Sequence, residues 1–332
     1  MEPLVSVCCI TYNHEKYIAD ALESFLMQKT EFPIEIIIHD DASTDNTANI
    51  IKKYEKKYPD IIRPIYQIEN QYSKGKNPLR DFVRPLIKGK YAATCEGDDF
   101  WIETTKLQKQ VEFLENNPDY IMCFHKVKVV NTNKEFTGRL LGLSTRCSKE
   151  ISIKDMAKGG VVHISSQLIR SEVYKEPIPA WIKHAKHGDY ANALFFAAEG
   201  RIYYIDEVMS AYRTGVKNSL MTNFRRNYTK ESDIQFHKNR IEVLRMADKY
   251  YSYKYHDEIE KVYLLSGVTI SLLKSDYSST ARKIYKKYLN YHGLISFIKL
   301  CLLKKCPALA TLLVKLKDKI SIARMNGGLD GR

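Results

Sequence analysis

The chain has no CxxC pair, no internal repeat and no low-complexity segment, and each absence removes a class of protein. Seven cysteines are an odd number, and several lie in apolar, strand-like runs. They read as reduced, buried thiols in a cytosolic protein, not as a disulfide framework or a zinc knuckle. No apolar run reaches the roughly 18 residues that a membrane-crossing helix needs. The opening MEPLVSVCCITYN has no basic residues ahead of its short apolar stretch. It is therefore expected to be the first core strand and not a secretion signal. A hydrophobic content of 44% with 27% charged residues excludes a disordered chain. The net charge of +13 is not spread over the fold. Residues 281–324 hold eleven Lys/Arg against the single acid Asp318, ten of the thirteen net positive charges. The remainder is nearly neutral, which argues against a nucleic-acid groove.

What is present is a regular alternation of strand and helix patterns. Leu4–Ile10 is an apolar run suited to a strand buried on both faces. From His14 to Met27, residues Tyr17, Ile18, Ala21, Leu22, Phe25 and Leu26 share one helical stripe. Ile34–His39 predicts a second strand, and Ser43 and Thr44 can cap a helix running to Tyr58. Ile61–Gln67 predicts a third strand. Asn77–Pro78 predicts the start of a helix that buries Leu79, Phe82, Val83 and Leu86. Tyr91–Cys95 predicts a fourth strand. Beyond it come a helix at Leu107–Leu114, β-rich stretches at Ile121–Val130 and Val161–Arg170, and a helix at Gly188–Glu199. Two short closing strands are expected at Ile202–Ile205 and Val208–Tyr212, and Tyr- and Lys-rich helices after Phe224. Strands and helices alternating in this way give an α/β fold with a mostly parallel sheet and right-handed crossovers. Ligands of such sheets bind beyond the carboxyl ends of the strands.

Polar residues collect at those ends. Thr11-Tyr12-Asn13 follows the first strand and Asp40-Asp41-Ala42-Ser43-Thr44-Asp45 the second. Adjacent carboxylates repel unless each has a partner. One facing outward can accept the N3–H of a uracil while Thr and Asn contact base and ribose; a helix N-terminus decorated with acids is the plainer account. Glu96-Gly97-Asp98-Asp99 follows the fourth strand, so a right-handed parallel sheet sets it beside the first two clusters. Hard carboxylate oxygens at a strand tip suit Mg²⁺ or Mn²⁺ bridging a diphosphate. One acidic pair is an ordinary turn; three polar clusters at three successive strand ends form a pattern.

Cys9-Ile10-Thr11-Tyr12-Asn13, Ile36-Ile37-Ile38-His39-Asp40-Asp41-Ala42-Ser43-Thr44-Asp45-Asn46-Thr47 and Glu96-Gly97-Asp98-Asp99-Phe100-Trp101 resemble the family-2 glycosyltransferases of the GT-A fold. The resemblance is close over residues 4–115 and looser to about 215. It implies an inverting, metal-dependent hexosyltransferase of bacterial polysaccharide type. Thr11 and Asn13, with Tyr12 between them, would line the nucleotide site, and Asp41 would bind the base. Asp98 and Asp99 would form the metal motif, with Asp99 the direct ligand of Mn²⁺ or Mg²⁺ and Asp98 counted with the nucleotide-binding residues. Ala42 stands where the family often has glycine, and His39 where it usually has an apolar residue. An Asp in the stretch around His187-Gly188-Asp189-Tyr190 is the family's general base, often as Glu-Asp; here Asp189 follows a glycine, and a helix N-cap is the other account of it.

Other residues point less directly. Lys76 and Arg80 can meet donor phosphates or belong to a solvated loop. Trp101 can stack on a sugar or pack in the core, and His163 can face the acceptor or be a satisfied core histidine. Tyr212-Arg213 follows a closing strand where the family sometimes contacts the diphosphate. The tail alternates basic residues with Leu294, Ile295, Phe297, Ile298, Leu300, Leu302, Leu303, Leu309, Leu312, Leu313 and Leu316. Such a helix packs on its own domain or lies in an anionic membrane interface.

The sequence thus predicts a GT-A domain over 1–224, with a nucleotide-binding half at about 1–100 and an acceptor half at 101–224. A helical region over 225–332 ends in a basic amphipathic tail. The expected partners are a nucleotide-sugar donor, by family default UDP-linked, a saccharide or lipid-linked saccharide acceptor, and an anionic membrane surface, with no nucleic acid. The expected location is cytoplasmic, peripheral on the inner face of the plasma membrane. A sugar-1-phosphate nucleotidyltransferase would need a Gly-rich, Arg/Lys-containing loop after the first strand, which Thr11-Tyr12-Asn13-His14-Glu15 is not. A receiver-type domain would leave residues 125–215 and Asp98-Asp99 without a purpose. A non-catalytic sugar-binding relative is the alternative from another class, and retention of Asp98, Asp99 and Asp189 together speaks against it.

Overall fold

The structure, a computed structural model, describes residues 2–305 apart from 144, 146, 176, 177, 184, 187, 218, 220, 221, 224 and 225. Strand β1 (Val5–Thr11) is buried along nearly its whole length, as a run of Val, Cys and Ile without polar alternation requires. It lies between β2 (Ile34–Asp40) and β4 (Tyr91–Glu96), both parallel to it, and β3 (Ile62–Tyr66) adds in parallel outside β2. The register pairs Thr11 with Asp40 and Ile10 with Glu96, so the three polar clusters do end side by side. Helices α1 (Ile18–Leu26), α2 (Thr47–Lys57) and α3 (Lys106–Asn116) close the core with Ile18, Leu22, Phe25, Ile51, Leu107, Val111 and Leu114.

Beyond β4 the sheet turns mixed. Its order is β3-β2-β1-β4-β9-β6-β10-β5, built with β5 (Phe100–Trp101), β6 (Tyr120–Val130), β9 (Leu168–Arg170) and β10 (Arg201–Arg213). Strand β9 runs antiparallel to β4 and β6, and β5 antiparallel to β10, while β6 and β10 are parallel. The outer strands β7 (Phe136–Leu141) and β8 (Lys149–Ile151) pair with β6 and β10.

Three expectations are corrected. The helix expected from Asn77 is a single π turn, Leu79–Val83, followed by a 3₁₀ turn, Arg84–Leu86. Pro85 has no N–H to continue the helical ladder, and Leu86 is exposed. Only Leu168–Arg170 of the β-rich stretch 161–170 is a strand. The two closing strands are one, β10, whose register against β6 shifts between Ile205 and Val208 and again before Ser210. Such irregularities bend a strand without ending it. Among the six described cysteines, Cys8, Cys9, Cys95 and Cys123 are buried thiols, Cys147 is exposed and Cys301 is half-buried.

The residues cluster into two compact units. Among the described residues, one holds those of 1–152, 160–178 and 196–216, and with them the whole sheet; the other holds those of 153–159, 179–195 and 217–305. The second unit is helical. Its helix Lys230–Tyr250 starts at a capping box in which Ser232 N–H donates to Thr229 Oγ1 (3.0 Å) and Thr229 N–H to Ser232 Oγ (2.9 Å). Helix His256–Lys274 packs Leu264, Val268 and Leu272 with Tyr288 of the helical segment Ser279–Lys305, which breaks at Gly293 (φ 77°). No helix among the described residues is long and apolar enough to cross a membrane.

Candidate active site

The first two clusters are tied to each other by hydrogen bonds. Asn13 takes a left-handed conformation (φ 56°), its N–H donating to Ser43 Oγ at 2.8 Å and its Oδ1 accepting from Thr44 N–H at 2.7 Å. Asn tolerates that region because its short amide bonds locally. Ala42 is also left-handed, at φ 59°, where a glycine would carry no steric cost. Asp40 accepts from Ser43 Oγ at 2.5 Å and holds this turn. Asp41, buried, accepts the N–H groups of Gln71 (2.8 Å) and Tyr72 (3.0 Å), one on each oxygen. It thereby ties down the loop that carries Lys76. Each carboxylate oxygen has a second lone pair, so Asp41 retains acceptor capacity for a base. Tyr12 and Lys76 are exposed, whereas Arg80 is bound by Asp81 through both carboxylate oxygens.

The third cluster is brought against the first by a glycine. A Cβ on Gly97 would meet Thr11 Oγ1 at 2.6 Å, so only glycine lets the acidic turn seat on the end of β1. Gly97 N–H donates to Ile10 O (2.9 Å) and Asp99 N–H to Glu96 O (3.1 Å). Carboxylate oxygens of Glu96, Asp98 and Asp99 lie within 4.8 Å of one another. Thr11 Oγ1 contacts His14 Nδ1 at 3.1 Å, and His14 Nε2 is 3.8 Å from Asp98 Oδ2.

Asp99 is fully buried. Its Oδ1 accepts the backbone N–H of Arg213 at 2.8 Å, and its Oδ2 has no hydrogen-bond partner. Burial, followed by the charges of Asp98 and Glu96, holds its carboxyl well above the usual carboxylate range. An unpaired carboxylate oxygen without water is unfavourable, and a hard divalent cation is the partner that three converging carboxylates fit. Mg²⁺ or Mn²⁺ suits this all-oxygen donor set better than a softer metal.

His163, half-buried, faces this oxygen. Its Nε2 is 3.9 Å from Asp99 Oδ2, while Nδ1 accepts from Ser165 N–H (3.3 Å) and contacts Ser165 Oγ (2.9 Å). An acceptor Nδ1 puts the ring proton on Nε2, and burial pushes the imidazole pKa down to about 4, so the ring is neutral. Of its two accounts, Trp101 takes core packing. It is 1% exposed, donates Nε1–H to Ser165 O at 3.0 Å and packs on Phe25, so its ring is closed to a sugar. Asp189 lies in the second unit, in the first turn of the helix Gly188–Glu199, with its side chain exposed. The neighbouring Tyr190 donates to Ala157 O, as does Arg240. His187 falls outside the described residues.

Sequence reasoning missed Asp20 and the role of Arg213. Arg213 is buried, its guanidinium held by Asp98 O, Thr132 O and Asp20. No local spacing signals this: Asp20 and Arg213 are 193 residues apart.

A parallel-to-mixed sheet with an acidic turn beyond β4 defines the GT-A class. S. aureus TarS 1–349 superposes with a TM-score of 0.57 at 19% identity, covering 87% of this chain and 79% of that one. Its complex with UDP-GlcNAc gives 0.54 at 17%, covering 87% and 92%. The profile of glycosyl transferase family 2 matches residues 6–176, over half of the chain, and the chain belongs to that family. An uncharacterized protein of Mycobacterium tuberculosis is 35% identical over 231 residues, 67% of this chain and 63% of its own length. The chain thus spans less than two thirds of that relative. The E. coli UDP-Glc:alpha-D-GlcNAc-diphosphoundecaprenol beta-1,3-glucosyltransferase WfaP is 40% identical over 112 residues, 34% of this chain and 41% of its own.

Proposed function

We propose that the protein is an inverting glycosyltransferase that moves a sugar from a nucleoside diphosphate to a saccharide or lipid-linked saccharide in cell-surface polysaccharide synthesis. The observation that carries this reading is the buried, unpartnered Oδ2 of Asp99 inside the Glu96–Asp98–Asp99 cluster. Family membership supports it, as does the UDP-GlcNAc held by TarS in its complex. UDP is the proposed nucleotide. Thr11, Tyr12, Asn13 and Asp41 would hold the nucleoside, and Lys76, on the loop that Asp41 fastens, would meet the phosphates. A divalent cation on Asp99 and Asp98, Mn²⁺ or Mg²⁺, would supply Lewis-acid stabilisation of the departing diphosphate. Asp189 would take the proton of the attacking acceptor hydroxyl, whose oxygen bonds to the anomeric carbon from the face opposite the leaving group.

The acceptor named for WfaP is lipid-linked, which favours an enzyme working at a membrane surface. Leu294, Ile295 and Ile298 are exposed on the last described helix. They would belong to the basic amphipathic tail of residues 281–324, of which 306–324 lie outside the described residues. The protein would then be cytoplasmic and peripheral on the inner face of the plasma membrane.

Turnover of UDP-sugars by the purified full chain with Mn²⁺, in wild type and Asp189→Asn, tests the reading. The expected result is transfer or slow hydrolysis of one donor, lowered roughly 100-fold or more in the variant with donor affinity nearly unchanged. Binding of a UDP-sugar without any turnover would instead identify a non-catalytic relative. A variant with full turnover and a lowered melting temperature would show Asp189 to be a helix cap, which is worth about 1 kcal/mol.

A further inference from the structure

We infer that Arg213 is a positioning residue for the acidic site, setting Asp98 and Asp99 for a divalent cation, with Asp20 on α1 as its anchor. The inference rests on reading the acidic cluster as a cation site. It begins with strand register. Strand β5 pairs antiparallel with β10, Trp101 opposite Ser210 and Phe100 opposite Ala211. Extending that register by two residues sets Arg213 across from Asp98.

The contacts follow. The backbone N–H of Arg213 donates to Asp99 Oδ1 (2.8 Å), and its Nε donates to the carbonyl of Asp98 (2.8 Å). Nη1 donates to Thr132 O (3.2 Å) and Nη2 to Asp20 Oδ2 (2.7 Å). The guanidinium lies against the rings of Tyr17 (4.7 Å) and Phe100 (5.1 Å). Asp20 Oδ1 accepts in addition from Lys134 Nζ at 2.5 Å.

The choice of acceptors matters most. Arg213 touches both members of the acidic pair, yet none of these bonds joins its guanidinium to either carboxylate. The side chain grips the main chain at Asp98, and the main chain grips one oxygen of Asp99. A guanidinium paired directly with these carboxylates would compete with a cation for them. Held this way, the turn is fixed while Asp99 Oδ2 is left for a ligand. Burying a guanidinium is costly unless its donors are matched, and an apolar side chain could fill the space between the two rings without that cost. Its use here is geometric: small divalent cations bind only where their ligands are held close to one arrangement. With its Nε and both terminal nitrogens engaged, Arg213 is occupied in holding the turn and not in receiving the diphosphate.

The test is Mn²⁺ binding to the full chain, without nucleotide, followed by the electron paramagnetic resonance of free Mn²⁺. Wild type is compared with Arg213→Lys, Asp20→Asn and Asp99→Asn, with Ca²⁺ competition in each. Loss of an outer partner of a metal ligand typically weakens affinity about 10- to 100-fold. Arg213→Lys is expected near the upper end and Asp20→Asn near the lower. In both, the Mn²⁺-to-Ca²⁺ preference should fall, because a loosened carboxylate pair tolerates the larger ion. Mere loss of stability would leave that preference unchanged in the folded fraction. If Arg213→Lys does not fold, Asp20→Asn decides, because Asp20 is partly exposed on a surface helix. Wild-type Mn²⁺ affinity and preference in the folded variants, with binding lost in Asp99→Asn, would overturn the positioning role and leave the cation site standing. Wild-type binding in Asp99→Asn would overturn the cation site itself.

Discussion

Asp40 and Asp41 at the end of β2 have every carboxylate oxygen on a protein donor, whereas Asp99 beyond β4, buried more completely, keeps one oxygen without any. The two ends belong to one sheet, lie one strand apart and carry the same chemistry. At β2 the acids close loops: Asp40 fastens the Ala42-Ser43 turn, and Asp41 fastens the segment at Gln71 and Tyr72. At β4 the closing is done by Gly97, by the backbone and by Arg213, so that an acid can remain under-satisfied. A pair of aspartates is therefore not in itself a binding site. What distinguishes a ligand from a staple is which oxygen the fold leaves open.

The largest expected effect breaks the β4 side. Asp99→Asn keeps an acceptor for the Arg213 N–H but loses the anionic ligand. Calorimetric titration of UDP across Mn²⁺ concentrations should show the metal-dependent gain in affinity reduced by more than about 100-fold, beyond what outer partners cost. The melting temperature should be no lower than that of wild type, because a buried amide is less costly than a buried carboxylate. Unchanged metal dependence would contradict the assignment.

Behind the β4 end lies a buried lysine. Lys106 Nζ donates to Gln110 Oε1 (2.7 Å) over the Trp101 ring (4.1 Å), and burial pushes its pKa down to about 7. The unfolded lysine titrates near the ordinary 10.5, so between pH 7 and 10 the unfolded chain binds the extra proton. Stability from this group therefore rises with pH in that window and is lost as pH falls towards 7. Urea unfolding of wild type and Lys106→Met should differ in slope by at most about 1.4 kcal/mol per pH unit, wild type rising relative to the variant. Parallel curves would show that the amine stays charged.

On the β2 side, Asp41→Asn removes a carboxylate oxygen that accepts one of two backbone N–H groups and should cost about 1–3 kcal/mol in urea unfolding, in contrast to Asp99→Asn. UDP affinity should fall with it if the same carboxylate reads the base. The smallest effect is expected from Ala42→Gly. Relief of the left-handed alanine should stabilise by about 0.5–1 kcal/mol after the added entropy of the unfolded chain is offset. A neutral or destabilising result would mean that the Ala42 methyl makes contacts worth more than its strain.

Much of the first half was legible because its signals are local. The runs Leu4–Ile10 and Ile34–His39 have the unbroken apolar character of strands buried on both faces, and the polar clusters follow them at once. Helix 188–199 was legible for the same reason, having a continuous helical pattern bounded by glycines. The stretch after Asn77 misled because its apolar spacing is helical while Pro85 ends the ladder. Trp101 stayed open between two accounts because an aromatic beside an acidic pair looks the same in sequence whether it faces a sugar or Phe25.

The sequence by itself determined the strand–helix alternation, the placing of three polar clusters at strand ends, and the family. These depend on periodicities of 2 and 3.6 residues and on contiguous motifs, which the order of residues carries directly. Tertiary structure alone decided which carboxylates are staples and which is open, that His163 is neutral and turned to Asp99, and that Arg213 holds the acidic turn from 114 residues away. Those properties depend on which donors come within about 3 Å across the sheet and on what is excluded from water. Both are set when distant segments pack, and no local pattern records them.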